Sequence, residues 1–443
     1  MFYIKKNIIL KTYGAAKYMN QAAYITAILI TVICILATVG CKDDTDKHDT
    51  DNNTSDKVTL LSDSPIQTVN EPADAYSSLA AAYGLTETDQ TNFHLFGMIS
   101  DPSVVYDNER YRMWFSAVKN IDLDGQVPPD KGDYNADEDQ LNIQGIAYAE
   151  SSDGLHWSDP KNMTTNVDLV LEPEEGAWDK YGMETCTVVK QPDTDIWYLY
   201  YAGKTSVEYN GVTYRYFSGI GCATSSDGNT WTKRESPVIT SEYQWEKPYY
   251  TSTWYQDLYT ANNGDLHEAG GLMEPTVIYD TNDKIFKMWY GAMGESTERD
   301  GTTWDVRMCY AESEDGISWR KHPDYIFQRG TSGEWDHAWA SHYNVIQGPN
   351  EEYHLFYAGQ NSEETVYAIG HASSKDGLSW KRTPGNPILE NTSGSWYEKM
   401  VGGPSAVLID DTFHLWFFGS KLDNFSFVYF GYGTTEAGLT NME

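Results

Sequence analysis

Apolar and polar residues alternate with a period of two in five well-separated stretches, each rich in aromatics: 111–115, 197–201, 286–290, 353–357 and 413–417. Such alternation predicts half-buried β-strands, and helical periodicity is nearly absent from the chain. A short apolar run precedes each stretch, at 103–106, 187–189, 276–279, 344–346 and 405–408, with a turn bearing Asp, Asn or Gly between the two. A small apolar strand follows, as in Gly145-Ile146-Ala147-Tyr148-Ala149. Fourth strands are predicted at 168–171, 237–240, 325–327 and 387–389.

Between the third and fourth strands the chain repeats one phrase, Ser151-Ser152-Asp153-Gly154-Leu155-His156-Trp157, with copies at 225–231, 313–319 and 374–380 and a worn fifth at 434–439. The Asp residues lie 74, 88 and 61 residues apart, and Glu436 follows 60 later. Repeats of that length predict four-stranded blades with insertions, hence an all-β, five-bladed β-propeller. The fifth unit reaches Glu443 with no fourth strand, and 58–62 resembles the missing piece. An N-terminal strand closing the last blade is therefore expected. Because the phrase recurs in every blade, its residues are read as structural: Asp and Ser close the turn, Gly supplies a positive φ, and Trp packs between blades.

Charge narrows the partners. The formal net charge of −34 becomes −38 once residues 1–40, with four Lys and no acid, are removed. So acidic a surface repels nucleic acid and anionic membrane. The 33 Tyr and 15 Trp suit a twisted β-fold and a sugar-binding surface equally. At the N-terminus, Lys5, Lys6, Lys11 and Lys17 precede an apolar stretch that stops at Thr38-Val39-Gly40-Cys41. This resembles a lipoprotein signal, with Cys41 acylated as the mature first residue; a transmembrane anchor is the alternative. Lys42-Asp43-Asp44 resembles the surface-export tag of Bacteroidetes lipoproteins. The expected organisation is a signal peptide at 1–40, a disordered tether at 41–57 and the propeller at 58–443, monomeric and held at the outer-membrane surface by lipid alone. Cys186, Cys222 and Cys309 sit in apolar strand patterns and read as core residues; no Cys/His spacing suggests zinc.

Candidate chemistry lies where blades share a position but differ in residue. Inner strands line the central funnel, and their starts carry Asp101-Pro102, Glu184-Thr185, Glu274-Pro275, Ser341-His342 and Gly403-Pro404. Three carboxylates, Asp101, Glu184 and Glu274, thus converge on one opening. Like charges raise one another's pKa, which suits a site that protonates a leaving group while activating water. His342 is a candidate substrate ligand.

The unit order, the Asp-Gly-x-x-Trp hairpins and the acid series resemble the five-bladed glycosidases of glycoside hydrolase family 43 and its sister family 32. The resemblance covers about 58–443. It implies that Asp101 is base or nucleophile and Glu274 the general acid. The second-blade slot, an Asp in those families, holds Glu184 here, and Asp179 of Trp178-Asp179 is an alternative. Between blades two and three an insertion, 243–271, offers Trp245 and Trp254 as a glycan-stacking floor or a self-packed loop. A second, acidic insertion at 119–141 suits a solvated loop or calcium; no other cofactor or metal is expected.

The reading is a surface-anchored glycoside hydrolase acting on oligo- or polysaccharide, inverting, with a non-catalytic glycan-binding propeller as the alternative. Sialidase and phosphorylase readings each need basic residues that the inner-strand starts lack.

Overall fold

Among the residues that the computed structural model describes (57–61, 64, 66, 99–120, 142–158, 168–261, 268–296, 304–361, 366–420 and 428–436), strands follow one another in five antiparallel meanders. Unit one runs through Ile99–Asp107, Arg110–Asn120, Asn142–Ser151 and Leu169–Leu171. Unit two uses Gly182–Gln191, Ile196–Tyr209, Val212–Ser225 and Thr232–Lys233. Unit three uses Gly271–Asp280, Ile285–Glu295 and Trp304–Ser313; unit four Trp339–Gln347, Tyr353–Gln360 and Tyr367–Ser374; unit five Met400–Ile409, Thr412–Ser420 and Tyr429–Glu436. The outer position of units three and four is split between two short ladders, Arg320–Lys321 with Phe327–Gln328 and Lys381–Arg382 with Leu389–Glu390.

In unit five that position is taken by the N-terminal Thr59–Leu60, paired Thr59 to Thr434 and Leu60 to Gly433. The Leu61 and Ile66 amides add bonds to the Tyr432 and Phe430 carbonyls at 3.0 and 2.8 Å, and Ile66 is buried.

The first strands are linked by a closed cycle of side-chain-to-backbone hydrogen bonds. Ser103 Oγ accepts the Val188 amide at 3.0 Å, Thr187 Oγ1 that of Val277 at 3.4 Å and Thr276 Oγ1 that of Val345 at 3.0 Å. Asn344 Oδ1 accepts the Ala406 amide and Ser405 Oγ the Val104 amide, both at 2.9 Å. Each unit therefore grips the next, and the fifth grips the first.

A second set of links lies further out. The repeated phrase forms a tight turn in which Ser151 and Asp153, and their counterparts, accept the local backbone N–H groups. Its Gly residues have φ of 71–77°. Their carbonyls accept from a buried aromatic of the preceding unit: Trp114 to Gly228, Tyr200 to Gly316, Trp289 to Gly377, and Trp416 back to Gly154, at 2.7–3.0 Å. A Gly is needed because a Cβ there would press on those same rings.

Candidate active site

Every first strand carries a bulge near its start, and the bulged residue has a left-handed backbone: Asp101 (φ 51°), Thr185 (50°), Glu274 (54°), His342 (51°) and Gly403 (53°). That conformation is uncommon outside Gly, and for a β-branched Thr it is a real outlier. Since all five units adopt it, the architecture imposes the strain. The residues chosen to bear it are not uniform, and strained positions of that kind cluster at functional sites. All five line one cavity, whose empty space, counted out into open solvent, is about 370 Å³.

Asp101 and Glu274 enter this cavity from units one and three, and His342 stands between them. Its Nε2 lies 3.4 Å from Asp101 Oδ1 and its Nδ1 3.6 Å from Glu274 Oε1. Both facing carboxylate oxygens are buried and make no hydrogen bond among the described residues. The remaining oxygens are held: Ser100 Oγ donates to Asp101 Oδ2 at 2.6 Å, and the His342 amide donates to Glu274 Oε2 at 2.7 Å. Ser341 Oγ sits 2.8 Å from His342 Nδ1. Trp339 and Phe418 flank the imidazole. Gly403 keeps the fifth side of the cavity clear, because a Cβ there would meet Phe418 and lie 3.4 Å from Asp101 Oδ1.

Exposure separates the three groups. The Glu274 side chain is 1% exposed, whereas Asp101 is 13% and His342 20% exposed. Burial pushes the Glu274 pKa up to about 7, against the pull of His342, with the charges of Asp101 and Glu184 adding to the rise. A carboxyl in that state is about half protonated at neutral pH and largely protonated a unit below it. Cys186 also lines the cavity; burial and then the charge of Asp101 raise its thiol pKa, so it is no thiolate nucleophile.

Glu184 does not occupy the position expected of it. The bulged residue of unit two is Thr185, and Glu184 is the residue before it, paired with Ala202. Its carboxylate lies 2.8 Å from Lys204 Nζ and accepts from Gln144 at 2.7 Å; Lys204 also pairs with Glu268 at 3.0 Å. Thr185 instead uses its hydroxyl to accept the Glu274 amide at 3.1 Å, while its own amide is held by Ser116.

Asp179 is wholly buried and is not among the residues lining the cavity. It accepts from the Tyr201 hydroxyl at 2.8 Å and pairs with Lys233 at 3.1 Å. The same device recurs as Glu246 with Tyr290 and Lys321, and as Asp336 with Tyr357 and Arg382. Each acid follows a Trp that packs on the second strand of its unit. Trp245 is the unit-three copy: it stacks on Tyr243, meets Tyr325 edge-on and lies against Gly294. By the rule that a recurring residue serves the blade, Asp179 and Trp245 are structural, and the substrate-binding expectation for them is corrected.

Trp254 lies in the helix Thr253–Ala261, packed on Tyr249 and Tyr255, with its indole N–H donating to Glu295 at 3.3 Å. The insertion packs its aromatics on one another and on Tyr209, Tyr214 and Tyr216 of the long unit-two hairpin. Of the two readings it takes the self-packed one. Cys41 and the acidic insertion 121–141 lie outside the described residues. Among the described residues, no group of three or more His, Cys, Asp or Glu is placed to hold a metal ion.

No family model matches the sequence. An alignment 298 positions long, covering 62% of this chain, is 22% identical to the A type blood N-acetyl-alpha-D-galactosamine deacetylase of Flavonifractor plautii, and spans only 35% of that enzyme. In structure the chain is similar to a glycoside hydrolase (TM-score 0.53, 15% identity, 77% of this chain and 88% of that one). It is also similar to the beta-1,2-mannobiose phosphorylase of Listeria innocua (TM-score 0.50, 14% identity, 77% and 90%). At these identities the likeness is one of fold alone.

Proposed function

We propose that the chain is a glycoside hydrolase on a five-bladed propeller, with 58–62 as the outer strand of the last blade. Its site is the funnel cavity. Asp101 draws a proton from water, and Glu274 supplies one to the leaving oxygen. The observation that carries this reading is the buried Glu274 carboxyl, raised to about 7, sharing a cavity with Asp101. Two carboxyls driven into different protonation states are what acid–base glycoside cleavage needs. Hydrolysis is favoured over phosphorolysis because the described residues lining the cavity include no Lys or Arg, and Lys204 is committed to Glu184 and Glu268.

The test is hydrolysis of a panel of oligosaccharides and aryl glycosides. Glu274→Gln should lower kcat about 10²–10⁴-fold on poor leaving groups and far less on nitrophenyl glycosides, which depart without a proton. Asp101→Asn should lower both alike. In wild type, kcat/KM should fall tenfold per pH unit above about 7, as Glu274 loses its proton. Inversion is read from the anomer first released. Equal losses for Glu274→Gln on both substrate types would remove Glu274 from the acid's role. Because the sequence relative is a deacetylase, acetate release from N-acetylated glycans is the second readout. Acetate without free sugar would assign the same cavity to amide cleavage.

We further propose that the protein is monomeric and reaches the outer-membrane surface as a lipoprotein acylated at Cys41, in keeping with the apolar stretch that stops there. Cys41→Ser should move it from the membrane fraction to the soluble one. Retention in the membrane would argue for an uncleaved helix.

A further inference from the structure

Glu274 faces a geometric difficulty as an acid: its carboxyl is almost wholly buried, and the unbonded oxygen, Oε1, looks at an imidazole nitrogen. On the other side of that ring the second unbonded oxygen, Asp101 Oδ1, looks at the other nitrogen. Two orphaned buried oxygens on opposite sides of one imidazole call for protons on that line. Building on the hydrolase reading, we propose that His342 hands the proton of the buried Glu274 to the leaving oxygen and afterwards returns the proton of Asp101 to Glu274.

The hydrogen-bond inventory accommodates one resting state in which Glu274 holds its proton. Glu274 Oε2 already accepts the His342 amide, so the carboxyl proton belongs on Oε1. Oε1–H facing Nδ1 requires a bare Nδ1, and an ionised Asp101 facing Nε2 requires Nε2–H. The neutral Nε2–H tautomer satisfies both. Ser341 Oγ accepts from Nδ1 when that nitrogen is protonated, and in the resting state it shares the single Nδ1 lone pair with Oε1–H. The separations of 3.4 and 3.6 Å exceed hydrogen-bond length, as catalytic contacts often do before substrate draws a site together.

The protons balance over a full cycle. Water oxygen bonds to the anomeric carbon as the bond from that carbon to the leaving oxygen breaks. The leaving oxygen takes the Nε2 proton, Nδ1 takes the Glu274 proton, and Asp101 takes one proton from water. The site then holds protonated Asp101, an Nδ1–H imidazole and ionised Glu274. Asp101 gives its proton to Nε2, Nδ1 gives its own to Glu274 Oε1, and the resting state returns without a ring flip. In this scheme the imidazole, the most exposed of the three groups, is the one that meets the substrate.

Two measurements test it. In ¹⁵N-imidazole NMR of the full chain, the neutral form of His342 should be the Nε2–H tautomer; a neutral Nδ1–H ring would overturn the relay whatever the substrate. In kinetics with methyl and nitrophenyl glycosides, His342→Ala should lose about 10²–10⁴-fold on the methyl glycosides and much less on the nitrophenyl ones. His342→Asn, which keeps the left-handed backbone comfortable, should match it. The double variant His342→Ala/Glu274→Gln should be no slower than either single, since groups acting in series are not additive, and added imidazole should restore His342→Ala. Losses that multiply in the double variant, or equal losses on both substrates without imidazole rescue, would overturn the relay. Glu274→Gln as active as wild type on methyl glycosides would instead overturn the hydrolase reading beneath it.

Discussion

Glu274→Gln is expected to be more stable than wild type at pH 8 and equally stable at pH 4, while losing most of its activity. The ordinary carboxyl value of 4.5 rises to about 7 in the folded protein. Below 4.5 folded and unfolded chains both hold the proton, and nothing distinguishes them. Between 4.5 and about 7 the unfolded chain releases it and the folded chain keeps it, so stability falls as pH rises. Above about 7 the loss is complete, at roughly 3 kcal/mol for a shift of that size. Gln has no charge to bury, and its carbonyl oxygen can still accept the His342 amide. Melting curves of both proteins across pH 4–8 decide the matter: they should diverge by several degrees at the alkaline end. Parallel curves would mean that Glu274 ionises as freely as an exposed carboxyl and is no proton store. An acid kept at a cost in stability is the usual mark of a residue retained for chemistry.

Lys233→Met should be the most damaging change outside the cavity, at about 3–5 kcal/mol. It leaves Asp179, which has no exposed surface, with the Tyr201 hydroxyl alone to offset its charge. The fifth unit shows the remedy. Its Tyr397 and Phe417 stand where units two to four place an acid and its Tyr, and they pack with Trp396 in an apolar cluster. Asp179→Leu combined with Lys233→Met should therefore recover much of the loss. Thermal melts of the single and double variants test this. A single variant that melts like wild type but loses its glycan would return Asp179 to the substrate.

The architecture was open to sequence reasoning because its repeat is loud. The Asp-Gly phrase recurs with its turn chemistry intact, and the fifth unit visibly lacks a strand. The cavity was half legible. In units one, three and five the bulged residue is followed by Pro, at Asp101-Pro102, Glu274-Pro275 and Gly403-Pro404, which fixes the alignment. Units two and four have Cys186 and Tyr343 instead, so nothing marked Thr185 over Glu184 as the residue turned into the cavity. A second signal went unread. Asp179, Asp336 and Tyr397 each stand six residues before the bulged residue of their unit and directly after a Trp. That periodicity identifies them as framework, but the insertion displaces the unit-three copy and hides the pattern. The imidazole between the two acids could not be read at all, because strand order does not say how deep each side chain reaches.

The bonds that join the fifth unit to the first also set a timetable. The Ser405–Val104 link spans 301 residues and the Trp416–Gly154 link 262. A ribosome adding 5–20 residues per second needs about 15–60 s to deliver Ser405 after Val104 has emerged. Throughout that interval the first unit presents a bare flank, with a strand amide and a glycine carbonyl awaiting partners that do not yet exist. Each later unit meets its predecessor within seconds. The seam between first and last is thus a place where a growing chain stands open to the strand of a neighbour, and where assembly in cis has to outrun exchange between copies.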